Sequence, residues 1–110
     1  IADSHINGYI RVKLALTEDM PTIKPYNEQN WTELKDVEKV PINVSITLIH
    51  ALHRRWVALL KSLDKDNLER KYYHPEDDNT NTIWMSISTY AWHGRHHFEQ
   101  IRQLKNRMDW

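Results

Sequence analysis

The sequence contains no cysteine, only two glycines and a single phenylalanine in 110 residues. The absence of cysteine excludes disulfide bonds and thiolate ligands, so a bound metal ion would have to take nitrogen and oxygen ligands. Because glycine is scarce and apolar residues recur every three or four positions rather than every two, the pattern predicts an all-α chain. At this length we expect one domain, residues 1–110, with a core of modest size.

Charge imbalance and long apolar runs are missing as well. Fifteen Lys and Arg residues balance fifteen Asp and Glu residues, and the basic residues are scattered rather than striped, which argues against a nucleic-acid partner. No run approaches the roughly 20 apolar residues of a membrane span, and no segment resembles a signal peptide. We therefore expect a cytoplasmic protein without a membrane partner.

The apolar periodicity predicts three long helices, which extend over about Ile1–Glu18, Asn43–Leu63 and Thr82–Met108. The connections between them are long, with a short helical turn expected near Glu28–Leu34 and an extended segment within Asp64–Asn81. Connections of about 20 residues are unusual in a closed three-helix bundle. Since the chain also starts inside a helical pattern, we expect the last three helices of a four-helix bundle with long crossover connections, its N-terminal helix missing.

Three histidines are concentrated in the third predicted helix, in the run His93-Gly94-Arg95-His96-His97. At 100° per residue, His97 lies about 25° from the centre of the apolar stripe, His93 about 65° and His96 about 125°. His93 and His97 are therefore the inward pair, and two imidazoles on successive turns form half of a site for zinc, nickel or a similar ion. The alternative interpretation is a pair of core histidines satisfied by hydrogen bonds.

Several segments, in order, resemble the DinB-like superfamily and, within it, the YfiT-type metal-dependent hydrolases of bacteria. They are Ala2-Asp3-Ser4-His5-Ile6-Asn7-Gly8-Tyr9-Ile10-Arg11, Leu52-His53-Arg54-Arg55-Trp56, Tyr73-His74-Pro75 and Tyr90-Ala91-Trp92-His93-Gly94-Arg95-His96-His97. The resemblance implies a four-helix bundle, commonly a homodimer, that binds zinc or nickel through three histidines. Two of these ligands match His93 and His97. The third aligns with a histidine immediately before Ile1, outside this chain.

Two further histidines have less specific surroundings. His5 is turned by roughly 140° from the position of that upstream ligand, so we interpret it as an interior aromatic residue rather than a ligand. His53 lies on the apolar stripe of the second helix beside Trp56. It is either a hydrogen-bonded core histidine or a residue that supports the metal site.

Three histidine ligands leave one coordination position open, where a metal ion activates bound water or polarises a carbonyl. The resemblance therefore implies a metal-dependent hydrolase that acts on a small-molecule substrate. No catalytic residue can be assigned, and His96, Asn7 and Arg11 are candidates for a general base by proximity alone. The alternatives are a metal-dependent transferase of a low-molecular-weight thiol and a non-catalytic metal-binding or structural bundle.

Overall fold

The computed structural model describes residues 1–108, except for the side chains of His93, His97, Gln100, Ile101 and Leu104. The helices are α1 (Ala2–Thr17), α2 (Glu28–Thr32), α3 (Lys35–Lys39), α4 (Ile42–Lys61), α5 (Lys65–Leu68) and α6 (Ile83–Arg107). The strands are β1 (Lys71–His74) and β2 (Asn79–Thr82). The prediction of a mainly helical chain with three long helices is thus confirmed. No helix within the described part of the chain is long and apolar enough to cross a membrane.

The ends of the long helices follow from local chemistry. Helix α1 ends at Thr17, where Glu18 adopts an extended backbone (φ −126°, ψ 157°). The helix cannot resume before Pro21, because the residue before a proline disfavours the right-handed α region, and Met20 has a φ of 47°. Helix α6 begins after Thr82, whose hydroxyl accepts a hydrogen bond of 3.1 Å from the backbone N–H of Met85. This is the N-cap interaction expected of a threonine at that position.

The expected extended segment is an antiparallel hairpin, with Lys71 opposite Thr82 and His74 opposite Asn79. The linker after α1 pairs with β1 of this hairpin, since the N–H of Ile23 donates to the carbonyl of Tyr73 at 3.0 Å. The N–H of Tyr73 in turn donates to the carbonyl of Pro21 at 2.9 Å. These bonds hold the hairpin against the end of α1.

The core is small and lies where α1, α4, α6 and the hairpin meet. Its buried apolar residues are Val12, Ala15, Ile23, Trp56, Tyr72 and Ile83. Among the described residues of α4, Trp56 alone is buried, while Ile42 and Ile46 are 78% and 58% exposed. A helix with an apolar stripe left open on one side is what the last three helices of a four-helix bundle would show.

Helices α1 and α6 approach closely at Gly8 and Tyr90. Gly8 is buried, and a Cβ atom built there would lie 2.5 Å from both Cζ and Oη of Tyr90. The Tyr90 hydroxyl donates to the carbonyl of Ser4 at 2.9 Å. Glycine is therefore required for this crossing, and the tyrosine fixes the position of α6 against α1.

Candidate metal centre and adjacent cleft

Both predicted ligands lie on α6, with His93 three residues and His97 seven residues after Tyr90. Their side chains lie outside the described residues, so their role as ligands stays a prediction. The donor chemistry suits the expected ion, because two imidazoles on successive turns of a helix bind zinc or nickel. Among residues whose side chains are described, no group of three or more His, Asp or Glu could hold a metal ion.

His5 and His53 pair across α1 and α4, beside this stretch of α6. The Nδ1 atom of His5 lies 2.6 Å from Nε2 of His53, and the two rings stack with centroids 4.8 Å apart. One nitrogen must donate and the other accept, so at most one of the two rings is protonated while the bond exists. The His5 ring also meets the edge of Tyr90 at 5.3 Å, consistent with its interpretation as an interior aromatic residue.

For His53, the interpretation as a core histidine is only half right. It is hydrogen-bonded, to His5, but it is exposed rather than buried. The reason is the uncovered side of α4: His53 lies on the apolar stripe, and no described residue covers that part of the stripe. An apolar groove of α4 and α6 opens here, lined by His53, Val57 and Ala91 among others.

The structure also shows the surroundings of other residues that the sequence analysis named. His96 is exposed and stacks on Trp92, with centroids 4.9 Å apart and planes 8° from parallel. The Asn7 amide donates to the carbonyl of Asp3 at 2.8 Å, so it is tied to its own helix. Trp92 itself is 60% exposed.

A polar cleft of about 350 Å³ lies on the other side of Tyr90. It is bordered by α1, the linker at Pro25 and Tyr26, the start of α2 at Glu28, the hairpin and the first two turns of α6. Its lining includes Ser4, Arg11, Tyr26, Glu28, Tyr72, His74, Glu76, Asp77, Asn81, Ser86, Thr89 and Tyr90. Sequence reasoning did not find this cleft, although it named Arg11, because the lining residues come from segments far apart in the chain.

Among the described residues that line the cleft, Arg11 is the one Lys or Arg, and the carboxylates of Glu28, Glu76 and Asp77 line it as well. Burial raises the pKa of Tyr90 above its ordinary value of 10.0, and Arg11 opposes that shift by favouring the phenolate. Burial, followed by the charge of Glu28, raises the pKa of Tyr26, and Arg11 again opposes the shift. Both phenols are therefore neutral hydrogen-bond donors near pH 7.

On the hairpin side of the cleft, His74 faces the carboxylate of Asp77. Its Nδ1 atom is buried, has no hydrogen-bond partner among the described atoms, and lies 3.7 Å from Oδ2 of Asp77. The Tyr73 hydroxyl donates to Oδ1 of Asp78 at 2.6 Å, and this bond raises the pKa of Tyr73. Glu76 and Asp77, between β1 and β2, line the cleft, so the hairpin gives it an acidic rim.

The fold and the histidine pair together define a class of protein: a helical bundle that carries candidate metal ligands on its last long helix. Residues 1–101 match the family model described as the DinB superfamily. The chain therefore belongs to the DinB superfamily, as its sequence motifs predicted.

Within this superfamily, the chain is similar to several bacterial proteins and to one solved structure. The chain is 51% identical over all 110 residues to a Bacillus cereus protein named "Putative metal-dependent hydrolase", and 50% identical to a Bacillus anthracis protein of the same name. It is also similar to YfiT from Bacillus subtilis, described as "a probable metal-dependent hydrolase with an unusual four-helix bundle topology" (TM-score 0.91, 44% identity, 99% of this chain). The chain spans 62% of the length of each of these proteins.

Proposed function

We propose that this chain is part of a metal-dependent hydrolase, in which His93 and His97 bind a divalent ion, zinc or nickel. The observation that carries the proposal is the likeness in structure and sequence to YfiT, over 99% of this chain. The two histidines of α6, on successive turns, supply the nitrogen donors that such an ion requires in a chain without cysteine. The third ligand in this proposal is the histidine predicted upstream of Ile1.

When bound, the ion would supply a Lewis acid that activates water or polarises the carbonyl of a small-molecule ester or amide. The described residues hold the surroundings of the pair in place. The hydrogen bond from Tyr90 to Ser4 joins α6 to α1 one turn before His93. The hydrogen-bonded rings of His5 and His53 join α1 in turn to α4. Three helices are thus connected next to the proposed ligands.

The test is metal content by elemental mass spectrometry, on protein purified without a histidine tag. Because the third ligand of this proposal lies outside the chain, we expect near-stoichiometric zinc or nickel in the full-length Bacillus cereus relative and weaker binding by this chain. In both proteins the metal should disappear on alanine substitution at the positions of His93 and His97. His96→Ala is the matched control, because His96 is exposed and stacks on Trp92, and its metal content should equal that of the native protein. The same substitutions at the equivalent positions of the full-length Bacillus cereus relative show whether residues beyond this chain complete the site. Metal retained in both histidine variants of both proteins would refute the proposal.

Activity assays on the same purified protein distinguish hydrolysis from thiol transfer. A hydrolase turns over esters or amides without added thiol, so turnover that requires a low-molecular-weight thiol would support the transferase alternative. Metal loss with unchanged fold and unchanged cellular function would support the non-catalytic alternative.

We also propose a homodimer that uses the exposed face of α6. Trp84 and Trp92 are 61% and 60% exposed, and their spacing of eight residues places them on one side of the helix. Light scattering coupled to size exclusion tests this, with Trp92→Lys expected to yield monomers and Lys105→Glu, on the same helix, as the control. A native protein that is monomeric at all concentrations would contradict the proposal.

A further inference from the structure

The guanidinium of Arg11 is partly buried in the cleft without a counter-ion. No carboxylate of the described residues lies within 4.0 Å of it, and it makes no hydrogen bond to any of them. A cation withdrawn from water normally gains a paired anion, because the loss of hydration is otherwise uncompensated. The charge of Arg11 is therefore available to a ligand in the cleft.

Neutral donors without internal partners face the same cleft. The hydroxyls of Tyr26 and Ser86 and the side chain of Asn81 line it, and none of the three makes a hydrogen bond within the described structure. Ser86 is only 6% exposed. The Ser86 hydroxyl and the Arg11 guanidinium are not among the buried atoms that lack a partner, so both reach the solvent of the cleft and are available to a molecule bound there.

We propose that this cleft binds the carboxylate of a small organic acid, with Arg11 as the charged partner and the nearby hydroxyls as neutral donors. A planar guanidinium binds a carboxylate through two parallel hydrogen bonds, which gives direction as well as affinity. The volume of about 350 Å³ is that of a site for a small molecule. The rings of Tyr26, Tyr72 and Tyr90 provide apolar walls for the rest of the ligand.

The acidic rim limits the ligand to a single negative group. Glu76 and Asp77 lie on the hairpin side of the cleft, where a second carboxylate would meet like charges. The binding site thus favours a monocarboxylate with an apolar body over a dicarboxylate.

The position of the cleft gives the proposal a catalytic meaning, which rests on the proposed function. Tyr90 lines the cleft, and His93 follows three residues later, about 4.5 Å further along the helix axis. A substrate anchored at Arg11 would extend past Tyr90 towards the proposed ligands. The carboxylate would then be the anchoring group of the hydrolysed molecule and not the group that reacts.

The experiment is a titration of the protein with phenylacetate, followed by chemical-shift changes in two-dimensional NMR spectra. EDTA is present, so binding is measured without metal. The uncharged isostere phenylacetamide and the dicarboxylate phenylmalonate are titrated in parallel. We expect saturable binding of phenylacetate, with shifts at residues that line the cleft, and affinities at least about ten-fold weaker for phenylacetamide. Phenylmalonate should also bind more weakly than phenylacetate.

Three variants isolate the role of Arg11. Arg11→Met keeps the apolar stem and removes the charge, and should weaken phenylacetate binding about ten-fold or more. Arg11→Lys should recover part of the affinity, because it keeps the charge without the bidentate geometry. Arg55→Met is the matched control, since Arg55 is exposed on α4 and does not line the cleft. Circular dichroism confirms that each variant is folded.

The outcomes distinguish this proposal from the metal site. Equal affinity for phenylacetate and phenylacetamide, unchanged affinity in Arg11→Met, or no saturable binding of phenylacetate would overturn the carboxylate site. None of these results depends on metal. Conversely, metal retained in the His93→Ala and His97→Ala variants would refute the metal centre and leave the binding result standing.

Discussion

Replacement of Gly8 by alanine should destabilise the protein, although alanine is the better helix former. The new Cβ would lie 2.5 Å from Cζ and Oη of Tyr90 and 2.8 Å from Cε2, whereas carbon atoms in ordinary contact are about 3.5–4.0 Å apart. The tyrosine ring must therefore move by about 1 Å. It cannot do so freely, because it packs against Trp56 and His5, each with its ring centroid 5.3 Å away.

The magnitude follows from three opposing effects. Overpacking costs about 1–3 kcal/mol, and loss of the Tyr90–Ser4 hydrogen bond costs about 0.5–1.5 kcal/mol. The higher helix propensity of alanine returns about 1 kcal/mol. The net loss in the free energy of unfolding is then about 0.5–3.5 kcal/mol. Gly94 is the matched control, because it lies inside α6 and a Cβ there would meet no atom of the described residues within 4 Å.

The assay is urea denaturation followed by far-UV circular dichroism, with EDTA present so that bound metal does not add to stability. Gly94→Ala should raise the free energy of unfolding by about 0.5–1 kcal/mol, while Gly8→Ala lowers it. In a Tyr90→Phe background the cost at Gly8 should shrink, because the hydrogen bond is already gone and one close atom is removed. If Gly8→Ala stabilised the protein as much as Gly94→Ala does, the close approach of α1 and α6 would be refuted.

Three other perturbations probe how the hairpin and α6 are held. Arg70→Met should lower the free energy of unfolding by about 1–3 kcal/mol, since Arg70 donates from Nε to the carbonyl of Ala15 at 2.7 Å and from Nη2 to that of Glu18 at 2.9 Å. Ile83→Ala should cost about 2–5 kcal/mol in the same urea assay, because Ile83 is 0% exposed. Native protein should lose stability more steeply than Tyr90→Phe above pH 10.0, the ordinary tyrosine pKa. Burial raises the pKa of Tyr90 in the folded state, so the unfolded chain releases the proton first and is favoured as the pH rises through that range.

Matched substitutions give the baseline for the first two of these measurements. Arg102→Met removes an exposed arginine whose partner is Glu99 at 3.3 Å, and should change stability by less than about 0.5 kcal/mol. Ile10→Ala removes a side chain that is 47% exposed and should cost well under Ile83→Ala. The pH profile needs no separate control, since the other tyrosines are common to both proteins. Parallel profiles for native protein and Tyr90→Phe would contradict the burial of that hydroxyl.

The three long helices could be predicted from sequence because each has enough turns for its apolar stripe to show a period. The predicted ends lie within two residues of those observed. Two short helices, Lys35–Lys39 and Lys65–Leu68, were not predicted. Each has at most five residues, too few for a period. The second is held by a reciprocal cap between the side chains and backbones of Asp64 and Asn67, and that Asp-x-x-Asn spacing was the one local signal available.

The candidate site also has one part that could be predicted from the sequence and one part that could not. The pair His93 and His97 could be named because both residues lie on one helix, where spacing alone determines which side chains share a face. The cleft could not, because Arg11, Tyr26 and His74 belong to a helix, a linker and a strand, and only tertiary packing brings them together. The pairing of His5 with His53 was missed for the same reason, although His5 had been interpreted as an interior aromatic residue and His53 had been placed on an apolar stripe.

Helix α6 connects the two parts of the site, and its position against α1 therefore matters to both. Its first two turns supply Ser86 and Tyr90 to the cleft, and the next turns carry the proposed ligands. The hydrogen bond from Tyr90 to Ser4 and the contact at Gly8 fix the rotation and height of α6 at the boundary between these parts. A substituent at Gly8 would displace Tyr90, which is both a wall of the cleft and the residue one turn before His93. Helix α6 thus connects the proposed carboxylate site to the proposed metal centre.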